Sequence, residues 1–225
     1  LLRNRLWGSL EYYHKKSTDL LAIITGSPTQ GFGYATLTTN NGAIDNSGLE
    51  LNLSGQIIRK ADLVWTSTLL YAYNRNRVKH ISLEPSAYDS RLTLPLSYPT
   101  VGNPYNALYA YRYAGLSPEG EPQIYDADGN ITTGQVQDAD AIVYAGTTVP
   151  VHSGSFNNVV RWKDFEFSAL ITFDFGHKVR DNVTPAISMT SGRITSTHKD
   201  IMNAWKQPGD EAYTDVPRLL FSNDT

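Results

Sequence analysis

The chain has 225 residues, enough for one large domain or two small ones, and its 19 basic and 22 acidic side chains leave a net charge of −3. No basic field points to nucleic acid, and the absence of cysteine removes disulfide frameworks, thiolate zinc sites and cysteine nucleophiles together. No run of about eighteen apolar residues occurs, so no transmembrane helix is expected. The first residues, Leu1 to Trp7, lack the charged-then-apolar order of a signal peptide. The chain opens almost inside a strand pattern and stops in the polar stretch Ser222-Asn223-Asp224-Thr225, so both ends read as cut.

The informative signal is alternation with a period of two, which gives a strand one apolar and one polar face. From Arg5 to Tyr13, one phase is Arg5, Trp7, Ser9, Glu11 and Tyr13, and the other is Leu6, Gly8, Leu10 and Tyr12. Next, Leu49, Leu51, Leu53 and Ile57 alternate with Glu50, Asn52, Ser54 and Gln56. Residues 63–74 are noisier, with the odd phase (Leu63, Trp65, Leu69, Tyr71, Tyr73) the more apolar. Between Gly154 and Trp162, Phe156, Val160 and Trp162 oppose Asn157 and Arg161. Finally, Phe165, Phe167, Ala169, Ile171, Phe173 and Phe175 alternate with Glu166, Ser168, Leu170, Thr172 and Asp174. About five strands are predicted.

Connections alternate between tight and long. Arg59-Lys60-Ala61-Asp62 and Lys163-Asp164 make tight turns, whereas long loops are expected over about 17–44, 79–152 and 181–225. Long structureless loops count against an ordinary domain, but short turns at one end and long loops at the other suit an outer-membrane barrel. Phe165 to Phe175 spans roughly 33 Å of extended chain, or about 25 Å of height at a tilt near 40°, which matches the apolar band of such a barrel. Trp65, Trp162 and Phe165 fall beside the tight turns; Tyr12, Tyr13, Tyr71, Tyr73 and Phe175 fall near the long-loop ends, where aromatic belts would lie. A short helix is expected in the last loop, capped by Ser196 or Thr197, running from His198 to Trp205 and stopped by Pro208-Gly209.

Catalytic and metal chemistry find little support. Asp126, Asp128 and Asn130 match the start of a calcium loop, but Gln137 stands where the closing Glu belongs, and Asp-Gly and Gly-Asn steps are ordinary turn chemistry. The five histidines (His14, His80, His152, His177 and His198) follow no metal spacing and read as polar loop or interface residues. No nucleophile elbow, phosphate loop or HExxH motif occurs. Glu119 and Glu121 lie in a Pro/Gly-rich stretch and read as solvated. No catalytic residue, cofactor or metal is expected, and the chain is not read as an enzyme.

Several stretches carry a family likeness: residues 8–21 (Gly-Ser-Leu-Glu-Tyr-Tyr-His-Lys-Lys-Ser-Thr-Asp-Leu-Leu), 41–50 (Asn-Gly-Ala-Ile-Asp-Asn-Ser-Gly-Leu-Glu), 111–120 (Tyr-Arg-Tyr-Ala-Gly-Leu-Ser-Pro-Glu-Gly) and 125–130. Gly146-Thr147-Thr148-Val149-Pro150, Phe156-Asn157-Asn158, residues 175–180 and residues 205–211 (Trp-Lys-Gln-Pro-Gly-Asp-Glu) follow in order. Together they resemble the barrel region of SusC/RagA-type TonB-dependent outer-membrane transporters. The resemblance implies an antiparallel, all-β transmembrane barrel of which this chain is a part. It also implies a TonB contact, a SusD-like lipoprotein over the extracellular mouth, and oligosaccharide or peptide substrates. The family's plug domain and final strand match nothing here.

The leading expectation is a segment of an outer-membrane TonB-dependent channel in a Gram-negative bacterium, set in the lipid bilayer. Its candidate lumen residues are Arg5, Trp7, Glu11, Glu50, Asn52, Asn157, Arg161, Glu166 and Asp174, whose plainer role is to bond neighbouring strands or a plug. Leu10, Leu51, Leu53, Phe167, Ile171 and Phe173 are expected to face lipid. The alternative is a soluble β-sandwich carbohydrate-binding module with Tyr and Trp as stacking platforms.

Overall fold

The computed structural model describes residues 5–25, 36–81, 99–133, 136, 138–180 and 199–219. In chain order the strands are β1 (Leu6–Thr25), β2 (Thr36–Arg59), β3 (Leu63–Ile81), β4 (Ala107–Tyr111), β5 (Tyr113–Leu116), β6 (Pro122–Tyr125), β7 (Ile131–Thr133), β8 (Ile142–Thr147), β9 (His152–Trp162) and β10 (Phe165–Phe175). Short 3-10 turns occupy Ala139–Ala141, Lys199–Asn203 and Asp210–Ala212. The long strands form one five-stranded sheet in the order β1-β2-β3-β9-β10; β4 pairs with β8, and β5, β6 and β7 make a third sheet. The five-stranded sheet lies in one compact unit, and β5 to β7 lie with residues 199–219 in a second.

Every pairing in the large sheet is antiparallel, so register partners point to the same face. One row runs Leu10, Leu51, Tyr71, Gly154, Phe173, and the next runs Gly8, Leu53, Leu69, Phe156, Ile171. The opposite face carries Glu11, Glu50, Ala72, Ser153 and Asp174 in one row, and Ser9, Asn52, Leu70, Ser155 and Thr172 in another. The apolar phases read from the separate strands therefore fall on one side of the sheet. A polar exception on that side is satisfied within it: Trp65 Nε1 donates to Asn158 Oδ1 at 3.0 Å.

The sandwich alternative required Leu51 and Phe167 to share a buried core. Instead Phe167 is 67% exposed and Leu10 66%. Among the residues whose burial is described, Val78 is the buried apolar residue of the large sheet; the others (Ala107, Tyr109, Leu116, Ala141, Ile142, Ala204) lie in the loops and small sheets.

Both tight turns stand where the pattern put them. Residues 60–62 link β2 to β3, with Lys60 N–H donating to the Leu63 carbonyl at 2.8 Å. Residues 163–164 link β9 to β10, Lys163 taking the left-handed φ of 51° that a two-residue hairpin demands.

Four expectations are corrected. Residues 17–25 and 36–44 are strand rather than loop, because the ladder continues past the last clear alternation through bulges between Ser17 and Leu20 and between Leu20 and Leu21. The stretch 79–152 holds β4 to β8 and the end of β3, so it is not structureless. Ile57 does not continue the apolar phase of β2: the register shifts between Gln56 and Ile58, and Ile58 pairs with Trp65 in its place. The helix is a 3-10 turn at Lys199–Asn203; its expected caps, Ser196 and Thr197, and His198 lie outside the described residues.

Tyr13 departs from the expected belt in a different way. It falls on the polar face, opposite Gly48, and its ring lies where a Gly48 side chain would stand, within 2.5 Å of the Cβ position. The glycine leaves room for the ring, and the ring covers backbone that glycine exposes. Replacing Gly48 with Val should push the Tyr13 ring off the sheet and destabilise the full-length protein by about 1–3 kcal/mol. Denaturation of the detergent-purified protein measures this; an unchanged transition would show that the ring does not rest on Gly48.

Candidate polar channel face

Period-two geometry and the register gather the sequence candidates. Trp7, Glu11, Glu50, Asn52, Asn157, Arg161, Glu166 and Asp174 all occupy the polar face, while Arg5 precedes β1 and contributes its carbonyl to Gln56 N–H at 2.8 Å. Two pairs are in direct register. Arg161 Nε donates to Glu166 Oε2 at 2.5 Å beside the tight turn, an exposed ion pair that adds little stability. Glu11 and Glu50 stand directly opposite each other, an arrangement of like charges that disfavours the strand pair unless a cation approaches.

Asp174 ends the same cross-sheet row as that pair, but three strand spacings from Glu50, roughly 14 Å away. The acidic pair borders a hollow of about 340 Å³ whose polar lining includes Ser9, Asn52 and Ser153. Ser9 and Ser153 were not among the sequence candidates; small hydroxyls give no charge signal, and only strand parity could have flagged them. Ser54 and Thr68 hydroxyls meet at 3.0 Å on this face, tying β2 to β3.

Beyond the sheet, the motifs resolve into turns. Residues 126–130 close the hairpin between β6 and β7. Asn130 donates to Asp126 through its backbone N–H at 2.7 Å and through Nδ2 at 3.2 Å, and Gly129 takes a φ of +88°. The Asp126 carboxylate is thus engaged as a turn cap, and among the described residues no group of three or more His, Cys, Asp or Glu converges as metal ligands. Those Asn130 bonds hold the Asp126 carboxyl below the ordinary carboxylate range. Residues 117–121 form a second hairpin, where buried Ser117 accepts the Glu119 and Glu121 N–H groups on its hydroxyl.

Residues 199–219 bind to that hairpin. The Trp205 ring fills the space over Gly120, whose φ is +76°. Arg218 donates to the Gly120 carbonyl and to Glu121 Oε1, each at 3.0 Å. The turn after Trp205 is capped by its own acids: Asp210 accepts the Lys206 and Gln207 N–H groups, and Glu211 accepts the Gly209 N–H at 2.8 Å and the Trp205 indole at 3.1 Å. The Glu211 carboxyl is lowered by its own N–H, by the indole and by Gly209. Burial raises the Tyr113 phenol, and Asp215 adds to the shift.

No protein-family model matches the chain. Two curated relatives do: the TonB-dependent receptor P26 of Formosa agariphila, 24% identical over 97% of this chain, and the TonB-dependent receptor SusC of Bacteroides thetaiotaomicron, 24% identical over 74%. The chain covers 23% and 17% of their respective lengths, so it spans about a quarter or less of each. Among solved structures, the RagAB peptide importer in its "open-open" state superposes with a TM-score of 0.70, at 23% identity, over 97% of this chain and 24% of its own; at that identity the likeness shows the fold. The chain is therefore similar to TonB-dependent receptors across nearly its whole length. Within them the likeness is to the SusC/RagA type, as the motifs implied.

Two outcomes follow from this geometry. In the full-length protein, Ile171→Arg places a charge mid-way along the apolar face and should cost about 2–4 kcal/mol of membrane assembly, whereas Asp174→Arg on the polar face should be tolerated. Equal amounts of the two variants in the outer-membrane fraction would mean that the faces are reversed. The second outcome concerns pH. Because the Asp126 carboxyl is lowered on folding, its bonds to Asn130 are fully present above the usual value near 3.9 and are lost only as the pH falls through the lowered one. Relative to the intrinsic exchange rate at each pH, protection of the amides at residues 126–130 should therefore hold from neutral pH to about 4 and be lower in Asp126→Ala over that range; matching protection would show that the carboxylate does not hold the turn.

Proposed function

We propose that this chain is part of the wall of an outer-membrane TonB-dependent channel that takes up oligosaccharides or peptides in a Gram-negative bacterium, together with a SusD-like surface lipoprotein. The observation that carries the reading is the two-faced sheet. Five antiparallel strands hold Leu10, Leu51, Phe167 and Ile171 on one exposed apolar face and the acidic and amide residues on the other. Exposed apolar surface on that scale belongs against lipid, and strands can cross a bilayer only inside a closed barrel, which removes their free edges. β1 and β10 are the edges of this sheet, so the rest of the barrel would pair with them. The function is transport rather than catalysis, with energy from TonB reaching the channel through other parts of the full-length protein.

In this reading the turns at residues 60–62 and 163–164 are periplasmic, and the hairpins with residues 199–219 lie on the cell surface. The candidate residues Arg5, Trp7, Glu11, Glu50, Asn52, Asn157, Arg161, Glu166 and Asp174 line the channel. The Glu11–Glu50 pair would receive a cationic group, from a plug or from the substrate.

The test is made in cells carrying the full-length receptor. Converting Glu11 and Glu50 together to Arg should leave the amount of receptor in the outer membrane unchanged and slow uptake of its oligosaccharide or peptide roughly tenfold, because like charges would then meet the cation. Normal uptake by a fully assembled variant would reduce the pair to a structural role. Protease added to intact cells should cut within residues 199–219 and spare Lys60; cleavage at Lys60 would overturn the topology.

A further inference from the structure

The apolar face changes character at one end of the sheet. Tyr12, Leu49, Tyr73, His152 and Phe175 are register partners across all five strands. The rings in this row touch: His152 stacks on Phe175 at 4.7 Å and meets Tyr73 at 5.2 Å, and its Nδ1 lies 2.7 Å from the Tyr71 hydroxyl. Past this row β1, β2 and β3 continue, and the same face becomes basic. His14, Ser47 and Arg75 form the next row, and Lys16, Asp45 and Arg77 the one after. Lys79 sits in the bulge beyond and reaches the same side, since Asp45 Oδ2 lies 3.4 Å from its Nζ and 3.7 Å from His14 Nε2. Among the described residues, Lys16, Arg75, Arg77 and Lys79 thus share a patch with the Asp45 carboxylate, in a chain whose net charge is −3.

Position decides what this patch can meet. Rows of Tyr and Trp mark the boundary between hydrocarbon and headgroups. Rows two and four residues past the rings stand roughly 7 and 13 Å further along the strand, or about 5 and 10 Å higher at a tilt near 40°. A headgroup layer is about 5–7 Å deep on each side of a ~30 Å core. His14 and Arg75 therefore stand at headgroup depth, and Lys16, Arg77 and Lys79 stand beyond it on long side chains that can reach back toward the phosphates. All lie on the side away from the acidic channel face, where a substrate cannot reach them. Lys79 and His14 keep 51% and 40% of their side-chain surface exposed despite the contact with Asp45. Arg75 and Arg77 lie two residues apart on one face, and paired guanidinium groups suit the planar, bidentate recognition of phosphate.

We propose that His14, Lys16, Arg75, Arg77 and Lys79 form a binding site for the phosphate groups of an anionic lipid headgroup in the outer leaflet. The site rests on the membrane-spanning reading given under Proposed function. Asp45 holds Lys79 and His14 in place at its edge, and the ring row below receives the start of the acyl region.

The test uses full-length receptor purified in a neutral detergent, with three probes: doubly phosphorylated lipid A, its fully dephosphorylated form, and inorganic phosphate. Native mass spectrometry should show the phosphorylated lipid retained by the wild type and by Lys60→Gln, a charge loss at the opposite end of the sheet. Arg75→Gln with Arg77→Gln should bind it about 30-fold more weakly. Arg75→Lys with Arg77→Lys should keep most of the affinity, which supplies a reading even if the glutamine variant fails to fold. Neither the dephosphorylated lipid nor phosphate alone should bind comparably. Equal binding of the dephosphorylated lipid, equal binding of free phosphate, or undiminished binding by a folded glutamine variant would each overturn the site. Fractionation separates the two levels of failure. Receptor absent from the outer membrane would sink the channel reading and this site with it, whereas receptor present there with an indifferent glutamine variant would sink this site alone.

Discussion

The antiparallel ladder is the constraint from which the rest follows. Each residue of a long strand must hand its N–H and C=O to a neighbour, and when strands pair in register the side chains have no choice but to alternate between two faces. Over β3, β9 and β10 the pairing runs without interruption from Leu63, Trp162 and Phe165 to Tyr73, His152 and Phe175. Whatever one strand commits to a face, its neighbours must match. That is why a Gly sits at 154: a side chain there would run into the Leu70 carbonyl and the Phe173 ring on either side of it.

Where the ladder departs from regularity, it does so at places that keep the faces intact. The bulge at Ile57 lets Ile58 pair with Trp65, so that an apolar side chain again lies on the apolar side near the tight turn. The bulges around Ser17 and Leu20 come only after the ring row of Tyr12, where strands would leave the hydrocarbon and the demand for a uniform face relaxes. A bulge in the middle of the band would have turned one strand inside out.

Of the stretches that resemble SusC/RagA-type receptors, residues 8–21, 41–50 and 156–158 lie within β1, β2 and β9, whereas residues 117–120, 125–130 and 205–211 mark turns and their attachments. Ser117, Gly120, Trp205, Asp210, Glu211 and Arg218 make a small self-supporting assembly in which hydroxyl and carboxylate caps take up backbone N–H groups and one indole covers one glycine. Such residues leave little freedom for substitution, because each answers a specific unpaired donor or a specific void. They position loops.

From the sequence alone came the all-β class, the location of five strands and both tight turns, and the phase of each strand, because a period of two survives without any knowledge of partners. The candidate channel residues were legible for the same reason: charge and amide groups such as Glu50, Asn52 and Asp174 stand out against apolar neighbours. The extent of the strands was not, since residues 17–25 and 36–44 are held by cross-strand backbone bonds that require no apolar pattern. Nor could the sequence say that Glu11 faces Glu50, that Tyr13 rests on Gly48, or that Arg75 and Arg77 share a row with His14 and Lys16. Phase is a property of one strand, whereas register is a relation between two, and only the tertiary structure carries it.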